Sequence, residues 1–304
     1  MNLMDSIKSL KFTTLAENLV MAGGLGQWGF SLLLEVEDAR GKARKIMMDT
    51  ATIPQGLFYN IEHMELDISD LDCLVLSHNH YDHTSANTQI IEAVGGVKVY
   101  AHPGVFDPHI IKNAKGKTRD IGVPEGQGIA ELEAAGGEIV LSGSPVEVVP
   151  GVWTTGEVPR KTRETPMDLR KGYQILTEIG GEWRMDNLTD DQSLWMNLDG
   201  FGAVVASGCA HAGIVNILNH IKEQGSFDDI ACFVGGTHLS GRNDEYLDSV
   251  LAGLSGFGFK LFSPCHCTGF KATSRLWKTF PDAFVLNYCC REIDPLDPPE
   301  NRVM

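Results

Sequence analysis

Four residues able to bind a metal ion fall within six positions in the run His78-Asn79-His80-Tyr81-Asp82-His83. Neutral imidazole and carboxylate are donors that Zn, Mn and Fe(II) all accept. His78 and His80 are two residues apart, so an extended backbone projects both to one side. The turn that follows can offer Asp82 and His83 to a second ion about 3.5 to 4 Å away. Solvated loop histidines would explain one His here, not three with an Asp. Two such ions lower the pKa of a bound water towards neutrality and polarise the oxygen of an electrophilic carbon or phosphorus. The expected chemistry is hydrolysis of an ester, amide or phosphoester, with Asp82 both a ligand and the residue that orients the attacking water.

Stretch 72–76, directly before this run, is apolar and reads as the buried strand that delivers it. His-x-His-x-Asp-His after a short apolar strand resembles the signature of the metallo-β-lactamase superfamily. The resemblance implies further ligands at other strand ends, and His211 and His266 are carried over on that basis. It places a bridging donor near Cys209, for which simple packing of a buried thiol is the alternative. Asp49, closing the apolar run 46–49, matches the family's first motif, where an Asp orients a ligand imidazole or its loop; an ordinary turn Asp is the alternative. The family pattern there is Asp-Thr-Gly, whereas this chain has Asp49-Thr50-Ala51, so a left-handed backbone at position 51 is less comfortable.

His238 follows the apolar run 230–234 and should emerge on the same rim. It is read as a substrate-contacting or proton-transferring residue, able to protonate a leaving group, with metal ligation and then a plain surface His as the alternatives. His63, His102, His109 and His220 carry no spacing argument and are read as structural.

The segments Gly29–Leu34, Asp191–Leu194, Gly208–Asn216, Gly235–Leu239 and His266–Gly269 occur in an order that narrows the resemblance. It is to the branch containing 7,8-dihydropterin-6-methyl-4-(β-D-ribofuranosyl)aminobenzene-5′-phosphate synthase. Branch membership implies a scaffold and a site without fixing the substrate. A dihydropterin-type synthase is therefore one alternative to a hydrolase, and a non-catalytic metal- and ligand-binding sensor is another. A redox di-iron role would prefer Glu at position 79, and Asn79 is a poorer ligand. The implied cofactors are two divalent metal ions, Zn first, with Mn or Fe as alternatives.

The chain of 304 residues shows no Pro-, Ser- or charge-rich linker and no internal repeat, which suits a single domain over 1–304. With 25 basic and 40 acidic residues its net charge is −15, which disfavours nucleic acid as a partner. A small, anionic substrate remains compatible because metal ions dominate their local field. No segment offers the roughly 20 apolar residues of a membrane span, and residues 1–11 lack a signal-peptide core. A cytoplasmic protein without a membrane partner is expected, and a homo-oligomer stays open. Seven cysteines, at 73, 209, 232, 265, 267, 289 and 290, form no Cys-x-x-Cys pair and suit reduced thiols.

Short apolar or alternating runs predict strands at 30–36, 45–48, 73–76, 97–101, 146–149, 152–155, 174–179, 194–198, 202–206, 231–234 and 259–262. Helical periodicity predicts helices at 88–94, 128–135, 213–224, 243–254 and 271–279. This order fits an α/β fold, a four-layer αβ/βα sandwich of the metallo-β-lactamase-like kind, with two mixed sheets face to face and helices outside. The segment 103–137 breaks the rhythm, with Lys112, Lys115, Lys117 and Arg119 close together. It is read as a cap insertion whose basic residues receive an anionic group, with a solvated surface excursion as the alternative.

Overall fold

The computed structural model describes residues 5–21, 23–164, 172–300 and 302–303. The first four residues of the N-terminal segment discussed above lie outside the described residues. The chain opens with β1 (Ser9–Ala16), β2 (Ser31–Glu37), β3 (Ala43–Met48), α1 (Pro54–His63), β4 (Cys73–Val75), α2 (Tyr81–Thr84), α3 (Asn87–Ala93) and β5 (Val97–Ala101). It continues through β6 (His109–Lys112), β7 (Thr118–Asp120), α4 (Ile129–Ala134), β8 (Gly137–Leu141), β9 (Glu147–Val149) and β10 (Val152–Thr154). After these come β11 (Gln174–Ile179), β12 (Glu182–Met185), β13 (Ser193–Leu198), β14 (Gly202–Ser207), α5 (Ile214–Gly225), β15 (Ile230–Gly236), α6 (Asp244–Leu254), β16 (Leu261–Cys265), α7 (Phe270–Thr279) and β17 (Glu292–Ile293).

Alternation along the strands explains the layers. In β2, Leu32, Leu34 and Val36 enter the core between two sheets, whereas Leu33 faces the outer core with Leu57 and Ile61 of α1, Ile90 and Ile91 of α3 and Leu132 of α4. In β14, Val204 and Ala206 point inward, while Ala203 and Val205 pack against α5, α6 and α7. Strands covered on both faces have no polar side, which is why they read as nearly unbroken apolar runs. Burying each such Leu, Ile or Val contributes about 1.5–3 kcal/mol, comparable to the roughly 1–2 kcal/mol of backbone entropy lost per residue. The result is the four-layer sandwich expected from the sequence.

The first sheet has seven strands in the order β17-β1-β2-β3-β4-β5-β8, and the second has six in the order β16-β15-β14-β13-β10-β9. Both are mixed. β3, β4, β5 and β8 run parallel in one, and β14, β15 and β16 in the other. The C-terminal ends of β3 and β4 meet those of β14, β15 and β16, so loops from both halves converge at one edge of the sandwich.

A third, four-stranded antiparallel sheet, β12-β11-β6-β7, was not anticipated. It takes β11 out of the sandwich and gives part of the 103–137 excursion regular structure. β1 also escaped prediction, because its buried Thr13 and Thr14 interrupt the apolar signal. α1 begins at Pro54 with Ile53 at its N-cap and no side-chain cap, so it shows no start signature beyond the proline. Among the described residues, no helix is long and apolar enough to cross a membrane.

Gly235 pairs with Ser207 across β14 and β15; its φ is +130°, and a Cβ there would lie 1.9 Å from the Ser207 carbonyl oxygen. Gly235→Ala is expected to lower the unfolding free energy by about 2–3 kcal/mol through backbone strain and overpacking. A urea midpoint equal to wild type would show that β14 and β15 are not this close.

Candidate metal centre

Every residue proposed from the sequence reaches the same edge. Asp49 follows β3; His78, His80, Asp82 and His83 follow β4; Cys209 and His211 follow β14; His238 follows β15; and His266 follows β16. Their donor atoms gather in overlapping groups, each within 4.8 Å: His78, His80 and His211; His78, His83 and Cys209; Asp82, His83 and His266; and Cys209, His238 and Cys267. The His211 ring centroid lies 4.7 Å from that of His78, 4.8 Å from that of His80 and 4.2 Å from that of His238.

Asp49 is fully buried and does not join these groups. Its Oδ1 accepts from the Ser77 amide at 2.7 Å, and its Oδ2 accepts from Ser77 Oγ at 2.6 Å and from His83 Nδ1 at 2.6 Å. With Ser77 Oγ committed to Asp49, His78 Nδ1 lies 2.8 Å from it and donates to it. Both imidazoles are thereby fixed with Nε2 turned into the centre. Asp49 thus contacts both the His83 imidazole and the start of the loop that carries it. The left-handed backbone at Ala51 is present, with φ +58°, and Asp49 itself has φ +63°.

His266 is held from the other side by a pair that sequence reasoning missed. Glu17 accepts from the His266 amide, while Asn18 lies 3.2 Å from His266 Nδ1 and donates to the His266 carbonyl at 3.0 Å. Burial pushes the Glu17 carboxyl up to about 7, against the amide hydrogen bonds of Leu19 and His266. His266 Nε2 then stands 3.2 Å from His83 Nε2 and 3.6 Å from Asp82 Oδ2. Cys209 Sγ is 3.2 Å from the same His83 nitrogen.

Burial alone would lower the pKa of His83, but Asp49, and after it Asp82, raises it to about 9. Burial drives His80 and His266 down to about 3, and nearby histidines add to the effect. His78 is lowered well below the usual range for the same reason. The centre thus offers neutral imidazoles beside a point where positive charge is favoured. Buried nitrogens of His80 and His238, Nε2 and Nδ1 respectively, have no hydrogen-bond partner among the described residues. Converging lone pairs of this kind suit a divalent cation.

The loop before β13 explains two more residues. Asp190 accepts from both the amide and the side chain of Asn79 at 2.8 Å, so Asn79 is a structural tie within the His run. Asp191, whose carboxyl burial pushes up to about 6, accepts from the Ala212 amide at 2.9 Å. Arg160 donates to the carbonyls of His211 at 2.7 Å and Leu188 at 2.9 Å. Arg160, Asp190 and Cys267 gave no spacing signal; Glu17 and Asn18 could have been suspected only as a polar pair closing a strand.

A cavity of about 160 Å³ opens over the centre, lined by His80, Asp82, Cys209, His211, His238, His266 and Cys267 below and by Trp28, Tyr81, Ile111, Arg119, Ile121 and Ile175 around its mouth. The wall therefore includes β6, β7 and β11 of the third sheet. Of the four basic residues singled out in the excursion, Arg119 is the one that lines the cavity. Its guanidinium lies 5.8 Å over the Tyr81 ring. The histidines read as structural make contacts of their own: His109 with Asp186 at 3.3 Å, His102 with Glu157 at 3.1 Å, His220 with Gln224 at 2.8 Å, and His63 stacked on Tyr59.

Residues 41–159 match the family model described as the metallo-beta-lactamase superfamily. The chain is 27% identical over 291 residues to a 7,8-dihydropterin-6-methyl-4-(beta-D-ribofuranosyl)-aminobenzene-5′-phosphate synthase of Methanocaldococcus jannaschii, covering 92% of this chain and 95% of that protein. It is 29% identical over 264 residues to an uncharacterized protein of the same organism, covering 86% and 92%. A solved structure described as a metal-dependent hydrolase of the beta-lactamase superfamily superposes with a TM-score of 0.72 at 23% identity, covering 93% of this chain and 98% of the other. The metallo-beta-lactamase fold protein YhfI from Bacillus subtilis superposes with a TM-score of 0.53 at 11% identity, covering 94% and 99%. These two structures share the fold. Residues 41–159 thus carry the metallo-β-lactamase family match, and the chain as a whole has that fold. Over nearly its full length the chain is similar to the Methanocaldococcus synthase.

The His83 pKa gives a pH test. It is raised to about 9, above the unfolded value, so its stabilisation by Asp49 is complete below the unfolded pKa of about 6.5 and lost as pH rises through about 9. In chelator-treated protein, the stability difference between wild type and Asp49→Asn should be largest at the acid end of that window and shrink across it. A pH-independent difference in urea unfolding would contradict the assignment.

Proposed function

We propose that this protein is a metal-dependent hydrolase that cleaves an ester, amide or phosphoester of a small, anionic molecule. The observation that carries this reading is the convergence of the His78–His80–His211 and Asp82–His83–His266 groups beneath one cavity. Those two groups would hold two divalent ions, with Zn the first choice for donors that include imidazole, carboxylate and a neighbouring thiol. When bound, the ions supply an activated water and polarise the oxygen of the electrophile.

The chain's own part is positioning. Asp49 and Ser77 fix the tautomers of His83 and His78, Asn18 and Glu17 hold the His266 turn, and Asp82 orients the nucleophile from the ligand shell. Ile111, Ile121 and Ile175 make the mouth apolar, which excludes water and strengthens every electrostatic interaction inside. Arg119 receives an anionic group at the rim. The cavity, at about 160 Å³, is smaller than the ~300–1,000 Å³ of ordinary small-molecule pockets, so it encloses the reacting group while the rest of the substrate extends past Trp28.

A second reading, a dihydropterin-type synthase, is favoured by the similarity to the Methanocaldococcus synthase across 92% of this chain. Consumption of a dihydropterin and an aryl ribofuranoside phosphate together would support it. Turnover of single esters or phosphodiesters with water would support hydrolysis.

Zn- or Mn-loaded protein should turn over members of a panel of esters, thioesters and phosphodiesters, and His80→Ala should abolish it. Activity that survives this substitution would overturn the metal-dependent mechanism. Arg119→Ala should raise KM for anionic members roughly ten-fold or more, the worth of one charged hydrogen bond, and leave neutral ones unchanged. An equal effect on both kinds would remove Arg119 from substrate recognition.

A further inference from the structure

β14, β15 and β16 are three neighbouring parallel strands, and each carries a soft or borderline donor just past its C-terminal end: Cys209, His238 and Cys267. Register explains why they meet. Gly236 and Cys265 are partners across β15 and β16, and His238 and Cys267 each lie two residues further on. The ligand atoms of all three are within 4.8 Å of one another. The His238 amide donates to Cys267 Sγ at 3.2 Å.

The surrounding backbone is shaped to let the sulfurs approach. A Cβ on Gly236 would stand 2.7 Å from Cys267 Sγ and 3.1 Å from Cys209 Cα, so only glycine leaves room there. Ala210 and His238, beside the two turns, have φ of +57° and +49°. Left-handed non-glycine residues are strained, and their concentration here is characteristic of a functional site. Cys209 and Cys267 are 3% and 4% exposed, and His238 Nδ1 is buried without a hydrogen-bond partner among the described residues. Plain packing of two thiols accounts for their burial but not for the strain or the orphaned nitrogen.

We propose that Cys209, Cys267 and His238 form a sulfur-rich metal position that takes a soft or borderline divalent ion such as Zn on two thiolates and one imidazole. Cys209 also stands beside His83, so it is the donor common to this position and to the His78–His83 group. Each thiol releases its proton to solvent when the ion binds. Oxygen-preferring Mn would be confined to the His and Asp groups, and the metal preference of the protein follows from its cysteines. In this arrangement His238 is a ligand rather than a proton donor. The proposal rests on the reading of this edge as a metal centre and is independent of the substrate.

Cobalt(II) is the probe, because thiolate ligation gives a near-ultraviolet charge-transfer band while any tetrahedral site gives visible ligand-field bands. Cobalt-loaded wild type should show both. Cys267→Ser should lose the part of the charge-transfer intensity due to one sulfur, and the Cys209→Ser, Cys267→Ser double variant should lose all of it, with visible bands retained. Cys290→Ser, away from the centre, should change neither. Visible bands without charge transfer in wild type, or an unchanged band in Cys267→Ser, would overturn the sulfur position and leave the metal centre standing. Failure of wild type to bind cobalt would overturn both. An intact mass lighter by two hydrogens that is restored by reduction, with the reduced protein binding cobalt yet showing no charge-transfer band, would overturn the proposal. Because wild type is itself decisive, the test does not depend on the variants folding.

Discussion

A single buried carboxylate organises this edge of the protein. Asp49 leaves β3 with no solvent exposure and accepts from the Ser77 amide, the Ser77 hydroxyl and His83 Nδ1. A buried charge is tolerated only when it is paired and hydrogen-bonded, and here the partners are Ser77 and the candidate donor His83 of the His run itself. One carboxylate therefore ties β3 to the end of β4, sets the tautomer of two imidazoles and draws positive charge onto His83. Close approach of the second sheet depends on the same spot. A Cβ on Gly208 would stand 2.1 Å from Ser77 Oγ and 2.7 Å from Asp49 Oδ2, so the Cys209–His211 turn can reach the centre only because position 208 is glycine.

Around this anchor the site is built by opposition. Burial pushes His78, His80 and His266 towards the neutral form, while Asp49 and Asp82 hold His83 towards the charged one. Left-handed residues cluster on the same rim, at Asp49, Ala51, Ala210, His238 and His266. Conformations of this kind persist only where the surroundings over-determine them. The surroundings here are two interlocked sheets whose shared core runs from Phe12 and Leu34 on one side to Met196 and Val234 on the other.

The third sheet gives the centre its mouth. Its strands β6, β7 and β11 place Ile111, Arg119 and Ile175 above donors that come from the sandwich. The strained residues and the candidate donors belong to the sandwich, and part of the cavity wall belongs to an appended sheet. This division lets a common scaffold serve different chemistries.

Local sequence determined the candidate donors and most of the strands, because His-x-His-x-Asp-His is a contiguous chemical signal and double-sided burial leaves unbroken apolar runs such as 202–206. Each of the eleven strands and five helices expected is found within a few residues of its place. What the sequence could not decide was anything carried by partners far apart in the chain. β1 was hidden because its Thr13 and Thr14 are buried by tertiary packing, and α1 because it lacks a capping side chain. Glu17 and Asn18 matter only because a turn 248 residues away in the chain folds against them. Arg119 is distinguished from Lys112, Lys115 and Lys117 solely by the direction in which a short hairpin presents it. Cys267 reads as one thiol among seven until β14, β15 and β16 set it beside Cys209 and His238. Residue type fixes which atoms can ligate, but only strand register decides which of them share a point in space.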